Sequence, residues 1–193
     1  MPESPVNQTQ GQAAHLNRRG LIGLGAAAAL GLLSRPALAY GNFLEQSKTL
    51  AFNNLHTGEK LRTEFWAEGK FIPEALVQIN RVLRDHRTNE VSAIDPTLLD
   101  LLHALQRNTG IRESFHVISG YRSPASNAKL RAHSGGVANR SLHMSGKAID
   151  IALPGCNLAD LHKAALSLRA GGVGYYPASG FVHVDTGRVR QWS

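Results

Sequence analysis

A short segment, residues 147–153, constrains the fold of this chain more than any other. Side chains alternate between two faces along a β-strand. Ile149, Ile151 and Leu153 share one face, which must lie against an apolar core. The opposite face carries Asp150 between two alanines, so a metal ion or another group has room to approach it. A buried carboxylate needs such a partner, although the pattern alone also fits a surface aspartate.

A histidine lies shortly before this strand. His143 is separated from Asp150 by seven positions, a spacing that does not suit one continuous strand. Ser145 and Gly146 lie between them, favour a turn and disfavour a helix. We therefore predict that His143 lies in a loop that leads into the strand, and that the turn lets His143 and Asp150 converge.

A second alternating segment lies at residues 181–185. Its valines face one way, whereas His183 and Asp185 face the other. Two histidines and one carboxylate, with water as the fourth ligand, form a common catalytic zinc site. His143, Asp150 and His183 supply this set and are predicted as the metal ligands. Asp185 is then available either to orient a ligand or to accept a proton.

The other segments indicate the fold class. Strands and helices are interspersed without the regular βαβ alternation of parallel-sheet proteins, which predicts an α+β fold. The predicted strands are residues 49–55, 60–66, 115–119, 173–176 and 181–185, in addition to 147–153. The predicted helices are residues 73–88, 95–110, 123–133 and 157–169.

Residues 1–39 are predicted to be a cleaved export signal. Arg18 and Arg19 precede an apolar run of 14 residues, and an A-x-A sequence ends at Ala39. The run is shorter than the roughly 20 residues that span a bilayer as a helix. The arginine pair favours the twin-arginine route to the periplasm, with an ordinary secretory signal as the alternative. Cleavage would leave residues 40–193 as a single domain that carries the predicted zinc site and has no stable membrane span.

The composition of residues 40–193 bears on the partners of the protein. This part has 18 basic and 13 acidic residues, a net charge of +5. An exported chain without helix-turn-helix or zinc-finger spacing is not expected to bind nucleic acid. An anionic wall polymer fits the compartment better, with ordinary solvated surface charge as the alternative. The single cysteine, Cys156, excludes an intramolecular disulfide and a cysteine-based zinc site.

Three motifs carry a resemblance to a known family. The pattern S-x-H-x-x-G-x-A-x-D at residues 141–150 resembles that of zinc metallopeptidases of the lysostaphin, D-Ala-D-Ala metallopeptidase and hedgehog group. Residues 119–123 resemble the S-G-Y-R-S element of this group, and residues 181–185 its third-ligand strand. Residues 55–59 and 170–177 more closely resemble the murein endopeptidase K family, over nearly the whole chain.

The resemblance implies a hedgehog-like or D-Ala-D-Ala metallopeptidase-like fold, with a small antiparallel sheet flanked by helices. It also implies that Zn²⁺ is held by His143, Asp150 and His183. Arg122 would then stabilise the substrate carbonyl or the developing oxyanion, a role that suits a fixed guanidinium. The alternative is a structural arginine that caps the loop before the next helix.

The chain departs from the family at the general base. Many members carry a glutamate three residues before the third ligand, or a histidine two before it. Here these positions are Gly180 and Phe181, neither of which accepts a proton. Asp185 is the candidate base on the same strand face as His183, and orientation of His183 or Arg122 is its alternative role.

The expected function is that of an exported zinc-dependent murein endopeptidase. Its substrate would be a peptide cross-link between peptidoglycan stem peptides, either D-Ala to diaminopimelate or diaminopimelate to diaminopimelate. One alternative is a D-alanyl carboxypeptidase. The other is a non-catalytic zinc-binding or murein-binding module, which the missing glutamate leaves open. The sequence makes no prediction of oligomeric state.

Overall fold

The computed structural model describes residues 46–133 and 136–193. The predicted export signal, residues 1–39, lies outside the described residues, and so does its cleavage point. Within the described residues, no helix is both long enough and apolar enough to cross a membrane.

The described residues contain eight strands and four α-helices. The strands are β1 (Ser47–Asn54), β2 (Lys60–Ala67), β3 (Lys70–Phe71), β4 (Phe115–Ser119), β5 (Ala148–Ala152), β6 (Gly172–Tyr176), β7 (Phe181–Asp185) and β8 (Arg190–Trp192). The helices are α1 (Pro73–Val82), α2 (Pro96–Thr109), α3 (Pro124–His133) and α4 (Leu158–Leu168). Short 3-10 turns occupy Leu142–Ser145 and Pro177–Ser179.

The eight strands of the described residues form one sheet, in the order β3-β2-β1-β4-β5-β7-β6-β8. The predicted α+β class is confirmed, but the small antiparallel sheet is wrong. Strand β4 pairs parallel to β1, and β8 pairs parallel to β6. Parallel neighbours need a crossover connection. Helices α1 and α2 lie in the connection between β1 and β4. After β7, the chain passes to the far side of β6, where it forms β8.

One face of the sheet is covered by α1, α2 and α4. Their apolar side chains form one buried cluster with those of the strands. Ile149 and Ile151 of β5 and Val182 and Val184 of β7 belong to this cluster, as their alternation predicts. The polar residues between them therefore lie on the opposite face of the sheet.

Two helices show how capping sets the element bounds. Helix α2 starts after Asp95, whose side chain accepts a hydrogen bond from the Thr97 amide, and ends at Gly110 in the left-handed conformation. Both limits agree with the sequence. Helix α1 ends at Val82 instead of residue 88, because the backbone of Asp85 closes a loop with the amide of Asn89 and the carbonyl of Glu90.

Replacement of Gly146 by alanine tests the turn that positions His143. Gly146 has a φ of +65°, and a Cβ atom here would lie 2.1 Å from the Ala93 carbonyl oxygen. We expect Gly146→Ala to lower the free energy of unfolding by about 1–3 kcal/mol more than Gly58→Ala, because of overpacking. Gly58 is the control, since it has a φ of +72° and nothing within 4 Å. Equal urea midpoints for the two variants would contradict this packing.

Candidate metal centre

The centre of the site is a pair of residues on adjacent strands. Strand β5 pairs antiparallel with β7, and Asp150 lies directly opposite His183. Side chains of directly opposed residues project from the same face of a sheet. The His183 Nδ1 atom lies 2.8 Å from Asp150 Oδ1. The β5–β7 register therefore brings together two of the three predicted ligands on the face away from the helices.

His143 reaches this pair from the 3-10 turn before β5. Its Nδ1 atom lies 2.7 Å from the Gly120 carbonyl oxygen. A carbonyl can only accept, so Nδ1 donates and the lone pair of His143 is on Nε2. The Nε2 atom lies 3.4 Å from Asp150 Oδ1 and 3.2 Å from His183 Nδ1. The loop position predicted for His143 and its convergence with Asp150 are both observed.

His183 is oriented in the complementary way. Its Nε2 atom lies 3.0 Å from Asp185 Oδ2, behind the ring as seen from Asp150. When Nε2 carries the proton for this hydrogen bond, the lone pair of His183 is on Nδ1, which faces His143 and Asp150. Two imidazole lone pairs and one carboxylate oxygen then point at each other. Such a cluster of acceptors needs a shared cation or proton.

The donor set fits a metal ion. Among the described residues, the one group that could hold a metal is His143, Asp150 and His183, whose ligand atoms lie within 4.8 Å of one another. A tetrahedral ion with bonds of about 2.0–2.1 Å keeps its ligand atoms about 3.3 Å apart. The measured separations of 2.8, 3.2 and 3.4 Å bracket this value. The predicted ligand set is thus geometrically competent.

The electrostatics of the cluster also favour a bound cation. Burial raises the pKa of Asp150, but His143 and His183 lower it further, so its carboxyl group stays ionised. Burial lowers the pKa of His183, yet Asp150 and Asp185 raise it above its ordinary value. The carboxylates therefore impose a negative field on the point where the three ligand atoms meet.

Asp185 is buried and fully engaged. Arg190 binds it with two hydrogen bonds, of 2.7 Å to Oδ2 and 3.0 Å to Oδ1. The amides of Gly172 and Gly187 also donate to Oδ1, at 3.0 and 2.8 Å. Burial raises the pKa of Asp185, but the bonds from His183 and Arg190 and from these amides hold it below its usual range. This placement favours a carboxylate that orients His183 over one that accepts a proton.

Arg122 lies on the other side of Asp150. Its guanidinium Nη2 is 3.7 Å from Asp150 Oδ2, and its side chain is 11% exposed. The guanidinium is also close to Ser119 and Asn127, at 3.5 Å from each side-chain oxygen. Its Nε is buried and has no hydrogen-bond partner in the described part of the chain. The predicted site position of Arg122 is therefore observed, beside the ligand cluster.

The loop that carries Arg122 is fixed by a buried carboxylate. Asp85 accepts hydrogen bonds of 2.8 Å from the amides of Ser123 and Arg87. Burial raises the pKa of Asp85, but hydrogen bonds from Ser126, Ser123 and Arg87 lower it further, to well below its usual range. The Arg122 amide also donates to the His143 carbonyl at 3.2 Å. This hydrogen bond joins the backbone of Arg122 to that of the candidate ligand His143.

A cleft of about 440 Å³ opens over this cluster. Among the described residues that line the cleft, two are acidic, Asp150 and Asp185. Aromatic rings form part of its wall: Tyr176 stacks on Phe181 with 4.6 Å between ring centroids, and Trp192 lies 5.2 Å from the ring of His183. Such a cleft gives a substrate access to all three ligand residues.

Two functional positions were missed from the sequence. Arg190 and Trp192 belong to β8, a strand of three residues that no alternation pattern marks. The glycine at position 174 is a signal in the sequence that a neighbouring group packs closely there. In the structure, a Cβ atom at Gly174 would lie 2.6 Å from the ring of Trp192. Of the other histidines, His56 and His86 stack on each other with centroids 3.8 Å apart and do not join the cluster.

The family model for peptidoglycan L,D-endopeptidase MepK matches residues 43–192. The chain belongs to this family. The peptidoglycan L,D-endopeptidase MepK of Escherichia coli strain K12 is 47% identical over 177 residues, which cover 91% of this chain and 97% of that protein. The probable peptidoglycan L,D-endopeptidase MepK of Haemophilus influenzae is 43% identical over 178 residues, covering 91% of this chain and 95% of that protein. No solved structure matches the chain significantly.

Membership in the MepK family confirms the resemblance seen in the sequence motifs and the prediction of a peptidase. The hedgehog-like fold stays a prediction, since no solved structure supports it. The three ligand residues, Arg122 and Asp185 all lie within the matched range.

The two alternative roles of Asp185 predict different results for Asp185→Asn. A carboxylate that orients His183 should, when replaced, weaken metal affinity by roughly 10–100-fold. A proton acceptor should leave the affinity unchanged and lower the turnover of the metal-saturated enzyme by roughly 10²–10⁴-fold. We expect the first result, measured by competition with a chromogenic chelator. Unchanged affinity with lost turnover would contradict the orienting role.

The neighbouring arginines provide a matched control for this measurement. Arg190→Gln removes the paired hydrogen bonds to Asp185 and should weaken metal affinity in the same direction. Arg188 is exposed and its guanidinium makes no contact with Asp185 in the described structure. Arg188→Gln removes the same charge and should leave the affinity unchanged.

Proposed function

We propose that this chain is an exported, zinc-dependent peptidoglycan endopeptidase that hydrolyses peptide cross-links between stem peptides. The observation that carries the proposal is the convergence of His143 Nε2, His183 Nδ1 and Asp150 Oδ1 within 2.8–3.4 Å of one another. The cluster lies in an accessible cleft of a MepK-family chain. Two histidines and a carboxylate are a ligand set typical of catalytic zinc.

The names of the relatives narrow the choice of cross-link. Both are named L,D-endopeptidases. Of the two linkages predicted from the sequence, the bond between two diaminopimelate residues joins an L centre to a D centre. The bond from D-Ala to diaminopimelate joins two D centres. We therefore favour the diaminopimelate–diaminopimelate cross-link as the substrate.

Each ligand residue has a defined role in this proposal. His143, Asp150 and His183 would hold Zn²⁺ through the atoms that converge in the cleft. When bound, zinc supplies a Lewis acid that polarises the scissile carbonyl and makes water nucleophilic near neutral pH. The Gly120 carbonyl holds the tautomer of His143, and Asp185 holds that of His183. Both imidazole rings are thereby oriented towards the site.

Arg122 would stabilise negative charge on the scissile carbonyl oxygen. Its guanidinium lines the cleft and lies within 3.7 Å of Asp150. Burial of the guanidinium strengthens its interaction with charge that develops beside it. Its anchoring through Asp85 and the Ser123 amide means that the loop need not reorganise during the reaction. The position of Arg122 in the cleft wall supports this role over that of a purely structural arginine.

Export to the periplasm is part of the proposal. It is supported by the predicted signal at residues 1–39 and by the peptidoglycan substrate that the names of the relatives state. The net charge of +5 on residues 40–193 would favour retention on an anionic wall polymer.

Digestion of purified peptidoglycan tests the proposed function. The zinc-loaded wild-type protein should convert diaminopimelate-linked dimers to monomers, and a chelator should abolish this conversion. His143→Ala removes one of three protein ligands and should lose both stoichiometric zinc and activity. Muropeptide chromatography and metal analysis provide the two readouts.

Three outcomes would contradict parts of the proposal. Binding of peptidoglycan without any change in the muropeptides would indicate a non-catalytic module. Release of terminal D-Ala with intact dimers would indicate a carboxypeptidase. Full zinc occupancy in His143→Ala would show that the metal is held by other residues. The control Tyr175→Phe, whose ring faces His162, should behave like wild type.

A further inference from the structure

Tyr176 lies on the same face of the sheet as the candidate metal ligands. Strand β6 pairs antiparallel with β7, with Gly174 opposite His183 and Tyr176 opposite Phe181. Directly opposed residues share a face, so Tyr176 and Phe181 project from the same face of the sheet as His183. Tyr176 lines the same cleft as His183 and Arg122.

The hydroxyl of Tyr176 is held in one direction by the C-terminal strand. The indole Nε1 of Trp192 donates to Tyr176 Oη at 2.8 Å. An indole N–H can only donate, so the phenol accepts here and its own proton must point elsewhere. Within the described residues, no other hydrogen bond involves this hydroxyl. The proton is therefore available to a ligand in the cleft.

Trp192 is itself placed by close packing. Its ring occupies the space above Gly174, where a Cβ atom would lie 2.6 Å from the indole. The guanidinium of Arg190 lies 4.9 Å from the centre of the ring. Strand β8 pairs with β6, with Trp192 opposite Gly174. The indole cannot rotate away from Tyr176 without loss of these contacts.

Several donors line the cleft, among them the guanidinium of Arg122, the hydroxyl of Ser141 and this phenol. Burial lowers the pKa of Arg122, while Asp150 and Tyr176 are among the groups that oppose this shift. The phenol is thus within electrostatic reach of the guanidinium. The phenol and the guanidinium line the same cleft as the candidate ligands, and such a pair of donors is suited to an oxyanion.

We propose that Tyr176 is a catalytic hydrogen-bond donor to the scissile carbonyl oxygen, and that Trp192 is the residue that positions it. The inference rests on the proposed function and assigns a further residue to that reaction. The hydroxyl donates a hydrogen bond that strengthens as negative charge develops on the carbonyl oxygen. No proton leaves Tyr176, so it is unchanged at the end of the turnover.

Tyr176→Phe tests this role, with a diaminopimelate-linked muropeptide dimer as the substrate. Loss of one donor to an oxyanion lowers kcat by roughly 10²-fold. KM, zinc affinity and thermal stability should change little, because the phenyl ring retains its stacking on Phe181. The control is Tyr175→Phe, which removes the hydroxyl next in sequence; its ring stacks on His162 with centroids 4.7 Å apart.

Trp192→Phe tests the positioning step. It removes the N–H donor while keeping an aromatic ring beside His183, and should lower kcat by roughly fivefold through loss of one hydrogen bond. In a Tyr176→Phe background, the same change should have no further effect on kcat. This non-additivity distinguishes a shared hydrogen bond from two independent packing defects.

The results separate this inference from the proposed function. If the zinc-loaded wild type leaves dimers intact, the proposed function fails and the inference fails with it. If wild type is active and Tyr176→Phe retains kcat within threefold of Tyr175→Phe, only the inference is overturned. If Tyr176→Phe loses zinc or folds poorly, the variants Trp192→Phe and Gly174→Ala provide a second test. Additive losses of zinc affinity in these two variants would assign a structural role to Tyr176 and Trp192, and would also overturn the inference.

Discussion

The pairing of β5 with β7 is the interaction on which the rest of the site depends. It sets Asp150 directly opposite His183 and buries Ile149, Ile151, Val182 and Val184 on the other face. A slip by one residue would exchange the two faces and place two charged groups in the core. The apolar face therefore specifies the register, and the register brings the ligand atoms together.

Each candidate histidine ligand is supported by a residue behind it. The Gly120 carbonyl holds His143, Asp185 holds His183, and Arg190 with two backbone amides holds Asp185. Because the supporting bonds satisfy the outer nitrogen atoms, the lone pairs of both imidazoles face inward. Such preorganisation lowers the cost of binding a cation, since the ligands need not turn when it arrives. These supporting contacts explain why several polar groups are buried on this face of the sheet.

The sequence could predict the faces of the strands and the convergence of the candidate ligands, but not the full sheet. Alternation along residues 147–153 and 181–185 is a local property, so it identifies Asp150 and His183 before any tertiary contact is known. The parallel pairing of β8 with β6 depends on contacts between distant segments, and three residues are too few for a periodic pattern. Arg190 and Trp192 were missed for this reason. Helix α1 was predicted too long because Leu83 continues its apolar spacing, whereas the turn at Asp85 ends it.

The contacts of Asp185 favour one of two chemically similar assignments. Sequence places it two positions from His183 on the same face, which suits either a base or an orienting group. The hydrogen bonds from Arg190, Gly172 and Gly187 occupy its oxygens, and Oδ2 also lies 3.0 Å from His183 Nε2. These contacts favour the orienting role, so the proposed chemistry of the cleft depends on donors such as Arg122 and on the candidate ligand residues.

The most direct test of the central claim is anomalous diffraction at the zinc absorption edge from crystals of the zinc-loaded wild-type protein. The account predicts one peak, about 2.0–2.1 Å from each of His143 Nε2 and His183 Nδ1, with an Asp150 oxygen at a similar distance. A peak held by other side chains, or none in this cleft despite full zinc occupancy in solution, would contradict it.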